Sequence, residues 1–377
     1  MAPGNYEKYL AKIVKKLTIS DEDRAVYVKD FEIIRDHILT AMCEVDHVFD
    51  TIYKGPILFD NYPNNVHIKY PNKFDVIFKL SIPCSSYIEV DEDDERPGFV
   101  NLNFQKLMRK LSEYDDYDDI YNRLLELLDR NGNLLCRSNL QNWLKNVIKE
   151  GLENCGDFVR GNWGDLYTLI YTSRGFAHNI YAKCSNRVIS IDFVPGLSFD
   201  IGTADWIDVR HCRKYRNKCE EWYAVPKPTN GLKATRRYAF MIRNPKVEYD
   251  LLLENQNLNI VFRILKSLRN AYGMHRLTSY FITTALLWEI ELQNKIFWDN
   301  PIYIILEHML ETLARHFGDG CLLFFWNRDL NLLEYLHDDE IEDYAAKLKK
   351  VHNTLRQYKT EPNLSYKRCK THFQLPC

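Results

Sequence analysis

Glycine and proline are scarce in this chain, 15 and 13 of 377 residues, which argues against a loop-dominated fold. No apolar run approaches the ~20 residues that a membrane-crossing helix needs. The opening residues, Met1-Ala2-Pro3-Gly4-Asn5-Tyr6-Glu7-Lys8, carry no apolar signal core. The expectation is therefore a soluble, cytoplasmic protein with no membrane partner. Neither charge sign dominates: 50 Lys and Arg face 52 Asp and Glu, a formal net charge of −2. Any nucleic-acid binding then needs a local basic patch. The ten cysteines include no C-x2-C pair, and without a secretory signal they are read as reduced thiols. Cys212 and Cys219, preceded by His211, are the nearest pair, but their spacing does not match a common zinc site.

What is present is core material. The chain is 46% hydrophobic, with 24 Tyr and 19 Phe, enough to bury a sizeable interior. Residues 20–52 read as one long helix, capped by Ser20 or Asp21, with Val26, Phe31, Ile34, Ile38, Ala41 and Val45 at helical spacing. Lys8, Lys12, Lys15 and Lys16 precede it at steps of three and four, on one face of an earlier helix. Strands are expected at 74–81, 99–104, 166–172 and 187–194, and helices at 120–129 and 137–151. Glu89 to Glu95 reads as a solvated acidic loop. From about 248 the pattern is helical, with runs from Tyr280 to Leu292 and from Tyr303 to Phe317. Strands early and helices late indicate an α+β lobe, residues 1–204, followed by a helix-rich lobe, residues 205–377.

One strand carries potential chemistry. Two-metal sites need several carboxylates converging on hard cations such as Mg²⁺. Residues i and i+2 of a strand share a face, so an acid-x-Asp strand beside another acidic strand can build one. Here the first strand reads Lys73-Phe74-Asp75, and the neighbouring acid is Asp192, within Ile189-Ser190-Ile191-Asp192-Phe193-Val194. The pattern alone leaves two readings. Asp75 and Asp192 are strand-end carboxylates with ordinary hydrogen bonds, or they are ligands that justify placing a charge in so apolar a strand.

Asn72-Lys73-Phe74-Asp75-Val76-Ile77-Phe78-Lys79-Leu80 closely resembles the activation strand of the Mab-21 family of cyclic GMP–AMP synthase-like nucleotidyltransferases, in which it carries Glu-Phe-Asp. Ile189-Ser190-Ile191-Asp192 is similar to the family segment that supplies the third acid, and Tyr223-Ala224-Val225-Pro226-Lys227 to its Val-Pro-Lys segment. Arg236-Arg237-Tyr238-Ala239-Phe240 stands where Trp-Arg-x-Ser-Phe is usual. Lys266 and Ser279-Tyr280 resemble nucleotide-contacting residues, and Arg315-His316-Phe317 and Phe325-Trp326-Asn327-Arg328-Asp329 the C-terminal segment.

The resemblance implies a bilobal nucleotidyltransferase fold with a mixed sheet, a long spine helix and a helical C-terminal lobe. It implies cyclic dinucleotide synthesis from ATP and GTP in innate immune sensing. Asp75 and Asp192 would hold Mg²⁺ or Mn²⁺, and Gly55, Arg237, Lys266, Ser279 and Tyr280 would bind nucleotide. Nucleic acid would lie on Lys12, Lys15 and Lys16 and on Arg213, Lys214, Arg216 and Lys218, with solvated surface as the plain alternative. Between Phe240 and Lys266 there is no Cys or His, so the zinc insertion of the vertebrate DNA sensor is not expected. Double-stranded RNA is then the better candidate ligand, with a homodimer on ligand binding as an open option.

Three departures bear on activity. Lys73 stands where the family has a Glu ligand; an ammonium about 4 Å from a dication costs about 8 kcal/mol of repulsion at an effective dielectric near 20. Gly55-Pro56 is read as the family's Gly-Ser loop, and Pro56 has neither hydroxyl nor N–H for a phosphate. Ala239 replaces a Ser. Lys73 could pair with a phosphate, or with Asp75 or Asp192 as a structural ion pair. The expectation is weak or absent catalysis, with a catalytically inactive scaffold or binding protein as the rival reading.

Overall fold

The computed structural model describes residues 5–59, 72–93, 95–174, 177–203, 220–227, 237–254 and 256–375. The chain divides into two compact units. One comprises Ala25–Phe59 and Asn72–Val247 and holds the sheet; the other comprises the described parts of 1–24 and 248–377 and is mainly helical.

The sheet unit is built on helix α2 (Asp21–Val45), most of which belongs to it, and the short α3 (His47–Ile52). Ser20 starts α2: its Oγ accepts from the Asp23 amide at 3.0 Å, satisfying one of the orphan N–H groups of a first turn. The expected single helix over 20–52 is interrupted at Asp46. There Oδ1 accepts from the Phe49 amide at 2.8 Å and Oδ2 from the Trp143 indole at 2.8 Å. A side chain that caps a new helix competes with continuation of the old one.

The strands are β1 (Tyr53–Phe59), β2 (Lys73–Leu80), β3 (Glu89–Glu92), β4 (Phe99–Asn103), β5 (Phe158–Arg160), β6 (Leu166–Arg174), β7 (Ala177–Lys183), β8 (Val188–Asp200), β9 (Glu221–Val225) and β10 (Ala239–Arg243). The sheet runs β3-β4-β10-β9-β8-β7-β6-β5, and β2 joins it by parallel pairing with β8 and antiparallel pairing with β1. Two short helices, α4 (Gln105–Leu111) and α5 (Asp118–Leu127), and the longer α6 (Arg137–Cys155) pack in the same unit. Part of the expected acidic loop is strand: Glu89–Glu92 pairs with Phe99–Asn103, an edge position that suits charged side chains. Because β9 and β10 belong to this sheet, the sheet unit extends to Val247, and the boundary expected at 204/205 falls inside it.

β2 is buried on both faces from Phe74 to Phe78. Phe74 stacks on Phe31 of α2, ring centroids 3.9 Å apart, and Phe78 meets Phe49 of α3 edge-on at 5.8 Å. On the other face Ile77 joins Val194, Tyr223 and Val225 in a small second cluster. Helix α6 crosses α2 so closely that a Cβ at Gly151 would stand 3.1 Å from the Ala41 carbonyl.

Asp30 of α2 is fully buried. It accepts from the Asn162 amide at 2.7 Å and the Tyr167 hydroxyl at 2.7 Å, and Arg187 lies 3.2 Å away. One carboxylate thereby ties the helix to the β5–β6 turn, to β6 and to the β7–β8 turn.

In the helical unit, α1 (Asn5–Leu17) buries Tyr6, Leu10, Ile13 and Leu17. The remainder is α7 (Pro245–Leu253), in this unit from Glu248, α8 (Gln256–Ala271), α9 (Ser279–Leu292), α10 (Ile302–Gly318), the hairpin β11 (Leu323–Phe324) and β12 (Asn327–Asn331), α11 (Asp338–Tyr358) and α12 (Tyr366–Lys370). His372 fastens the C-terminal segment, its Nδ1 2.5 Å from the Tyr272 hydroxyl and its Nε2 2.8 Å from that of Tyr358. No described helix is long and apolar enough to cross a membrane.

Replacing Asp30 with Ala is expected to lower stability by about 2 kcal/mol, because it leaves the buried Tyr167 hydroxyl and the Asn162 N–H without their acceptor, while Arg187 keeps Asp165. Denaturant unfolding of the full chain checks this, and Tyr167→Phe should cost clearly less.

Candidate functional site

The parallel ladder between β2 and β8 sets Lys73 opposite Ser190 and Asp75 opposite Asp192. On the far side of β8, Asn179 of β7 is the antiparallel partner of Asp192. Lys73, Asp75, Asp192 and Asn179 thus share one sheet face, as the two-residue period requires. The sequence reading brought the first three together; Asn179 it missed, because an Asn in a strand carries no signal until the register is known.

The Lys73 ammonium is 3.0 Å from Asp192 Oδ2 and 3.7 Å from Asp75 Oδ1. The Asn179 amide donates to Asp192 Oδ1. The carboxylates are largely buried, with side chains 10% and 16% exposed, whereas the Lys73 side chain is 54% exposed. Of the two pairings open to Lys73 in the sequence, the structure contains the ion pair. One Lys bridges two Asp, so these three side chains sum to −1, where three acids would sum to −3. The adjoining His178 is buried on the opposite face of β7; burial, with Lys145 adding to it, lowers its pKa to about 4 and keeps the ring neutral near pH 7.

These residues do not fit a divalent ion. Two carboxylates converge, both are engaged by an ammonium, and among the described residues no group of three or more His, Cys, Asp or Glu side chains is arranged to hold a metal. A cation in the same place would meet Lys73 first.

Gly55 and Pro56 are strand residues. Pro56 pairs with Phe78 inside the β1–β2 ladder, and the residue of β1 opposite Asp75 is Phe59. Gly55, at φ 102°, and Pro56 form an irregularity in the ladder, a position that tolerates a proline. They lie three register positions, about 10 Å, from Asp75. The loop reading of Gly55-Pro56 is corrected, and with it the argument from the missing Pro56 N–H.

Arg237 is exposed just before β10, its guanidinium 5.3 Å from the Tyr238 ring centroid, and Ala239 is buried opposite Asn101 of β4. Lys266, Ser279 and Tyr280 belong to the helical unit. Lys266 is buried on α8, its ammonium 5.6 Å from the Phe262 ring centroid. Ser279 opens α9, capped by Thr278, and its Oγ lies 3.4 Å from Arg269. The Tyr280 hydroxyl donates to Glu248 Oε1 at 3.2 Å, and the Trp326 indole donates to the same oxygen at 2.7 Å. Glu248, buried at the root of this pair, had no recognisable signal in the sequence.

Lys8, Lys12, Lys15 and Lys16 do share the exposed face of α1. Lys12 and Lys16 each place their ammonium 5.9 Å from the Tyr366 ring centroid on α12, and Tyr9 meets the same ring at 5.8 Å. Exposed Lys367 and Lys370 extend this surface. The α12 contribution was missed, since nothing in the sequence couples residues some 350 positions apart. Arg213, Lys214, Arg216 and Lys218 lie outside the described residues.

Residues 62–252 match the Mab-21 protein nucleotidyltransferase domain, and residues 257–350 match the Mab-21 protein HhH/H2TH-like domain. The chain belongs to the Mab-21 nucleotidyltransferase family. It is 28% identical to a cyclic GMP-AMP synthase-like protein of Drosophila melanogaster over 89% of both chains. It is also 28% identical to a cyclic GMP-AMP synthase-like receptor of Lucilia cuprina, over 88% of this chain and 87% of the relative. To cyclic GMP-AMP synthase-like receptor 1 of Drosophila melanogaster it is 26% identical, over 94% and 93%. Nucleotidyltransferases of this family generally use nucleotide substrates and divalent metal ions.

The Lys73 bridge makes a direct prediction. Native protein should show no Mn²⁺-dependent rise in melting temperature, whereas Lys73→Ala should acquire one, because it exposes two adjacent carboxylates without their cation. A thermal shift with Mn²⁺ that is equal in both proteins would contradict this account of the site.

Proposed function

We propose that this chain is a cyclic GMP–AMP synthase-like protein of nucleic-acid sensing that keeps the nucleotidyltransferase fold but has weak or no cyclic dinucleotide synthesis. The observation that carries this reading is the Lys73 ammonium between Asp192 and Asp75, at 3.0 and 3.7 Å. In the family reaction a 2′- or 3′-hydroxyl of one nucleotide attacks the α-phosphate of another. That step needs a group to orient and deprotonate the hydroxyl and positive charge on the phosphates. Asp192 is the residue proposed for the first task. Here it accepts from Asn179 at one oxygen and pairs with Lys73 at the other, so both oxygens are already engaged.

Nucleotide binding is a separate matter from turnover. Lys73 is half-exposed, so a phosphate can compete with Asp192 for its ammonium. Arg237, Lys266, Ser279 and Tyr280 are the proposed contacts for ATP or GTP, as the family resemblance implies. The lysine face of α1 is the proposed contact for double-stranded RNA, which is read by backbone and shape.

The test incubates full-length protein with radiolabelled ATP and GTP, Mg²⁺ or Mn²⁺, and double-stranded RNA or DNA. Product is expected at the level of the Asp192→Asn variant. Restoring the acid with Lys73→Glu should raise product at least about tenfold. Robust product from the native chain, abolished by Asp192→Asn, would overturn the proposal.

For the nucleic-acid face, Lys15→Glu with Lys16→Glu should weaken binding of a double-stranded RNA and lower the slope of log affinity against log salt by about 2. An affinity that survives the double change removes the α1 face from consideration.

A further inference from the structure

The sheet unit carries a groove that takes no part in the function proposed above. It lies where α5, α6 and the junction of α2 with α3 meet. Two cavities of about 330 and 450 Å³ share Asp46, Arg123 and Glu126 in their walls, so they form one continuous groove. Its α6 wall is a ladder. Asn142, Asn146 and Glu150 follow at steps of four residues and so share one helix face. Trp143 and Val147 lie one position further round, and with Leu127 of α5 they make a buried, apolar floor. From Asn139 to Glu150 the helix rises about 16 Å, the length of about five residues of extended chain.

Floor and walls are held in place. Asp46 accepts from the Trp143 indole and from the Phe49 amide, both at 2.8 Å. The Asn139 amide donates to the carbonyls of Glu126 at 3.2 Å and Leu128 at 3.3 Å, tying α6 to the end of α5. The Arg123 guanidinium lies 5.6 Å from the Trp143 ring centroid and donates to Glu126 at 2.6 Å and to Asp46 at 3.4 Å. Arg123 is thus committed within the protein. Four carboxylates, Asp46, Asp119, Glu126 and Glu150, line the groove against this one guanidinium, a sum of −3 with His47 neutral. The lysines of α6, Lys145 and Lys149, stand outside the lining. Among the described residues Asp119 and Glu150 have no ion-pair partner, and the Asn142 and Asn146 amides make no hydrogen bond. All four side chains are exposed.

A surface of this sign repels nucleic acid and attracts cations. A carboxamide both donates and accepts, so a pair of them matches a peptide backbone, which a polyamine lacks. The apolar floor suits the methylene stems of lysine and arginine, which pack their carbons while the charged head stays in water. We infer that the groove binds an extended peptide segment of a partner protein, about five residues long and rich in lysine or arginine. Its backbone meets Asn142 and Asn146, and its cationic side chains reach Asp119 and Glu150. The groove contains none of the residues assigned above to nucleotide or nucleic acid, so either reading can fail without the other.

The experiment is calorimetric titration of the full-length protein with three probes: the peptide Lys-Ala-Lys-Ala-Arg, its counterpart Glu-Ala-Glu-Ala-Glu, and spermine. The basic peptide should bind and the acidic one should not. Asp119→Lys with Glu150→Lys should weaken the basic peptide at least about tenfold, about 1.4 kcal/mol. Asn142→Ala with Asn146→Ala should weaken it about fivefold and leave spermine unchanged. All four positions are exposed, so neither double variant should melt earlier, and Lys73→Ala should bind the peptide as the native chain does. No binding of the basic peptide, equal binding of both peptides, or binding indifferent to the charge reversals would each overturn the inference. So would a peptide affinity untouched by the two Asn changes, the mark of a surface that reads charge alone.

Discussion

The parallel pairing of β2 with β8 brings two carboxylates onto adjacent strands at the ~5 Å spacing of a sheet. At that distance and an effective dielectric near 20, two unit charges repel by about 3 kcal/mol, so the pair requires a cation. Members of a nucleotidyltransferase family can recruit one from solution as a divalent metal. In this chain the cation is covalently attached, two residues before Asp75 on the same strand. Lys73, Asp75 and Asp192 therefore form one charge cluster across two adjacent strands, and the rest of the sheet unit keeps its strands in the register that maintains it.

Two devices hold that register. Aromatic stacking between Phe31 and Phe74 presses α2 against the buried face of β2, which leaves Lys73 and Asp75 on the opposite face. Asp30 then anchors α2 through the β5–β6 turn, Tyr167 and Arg187. A buried carboxylate with three polar partners contributes less to net stability than to specifying one arrangement, and here the specified arrangement is the alignment of helix and sheet. The helical unit uses the same economy at Glu248, one of whose oxygens receives both the Tyr280 hydroxyl and the Trp326 indole. Two of the segments that resemble the family are thus joined through a residue that belongs to neither.

The basic surface of α1 illustrates how tertiary contact changes the reading of a charge run. Taken alone, lysines at Lys8, Lys12, Lys15 and Lys16 describe a solvated helical face. With Tyr366 between Lys12 and Lys16 and with Lys367 and Lys370 alongside, the face becomes a mixed aromatic and cationic surface. That combination suits a polyanion better than scattered lysines do, because a ring supplies an ordered contact at low entropic cost.

Much of this was legible in the residues. The helical spacing from Val26 to Val45, the apolar run of β2, the alternation around Asp192 and the helical character after 248 are local patterns, set by side chains close together in the chain, and each became the element it indicated. The family and the Lys73 departure were readable for the same reason, being written within a few consecutive residues. The tertiary structure decided what depends on distant residues. It paired Asp192 with Asn179, placed Gly55 and Pro56 inside a strand ladder instead of a loop, turned an acidic loop partly into an edge strand, and carried the sheet unit past 204. It also gave Lys73 its partners, because the ladder that aligns residues 73–80 with 190–197 is a contact between segments more than a hundred positions apart. Local sequence can specify a strand and the faces of its side chains; which strands become neighbours, and in what register, is set by the burial of all of them together.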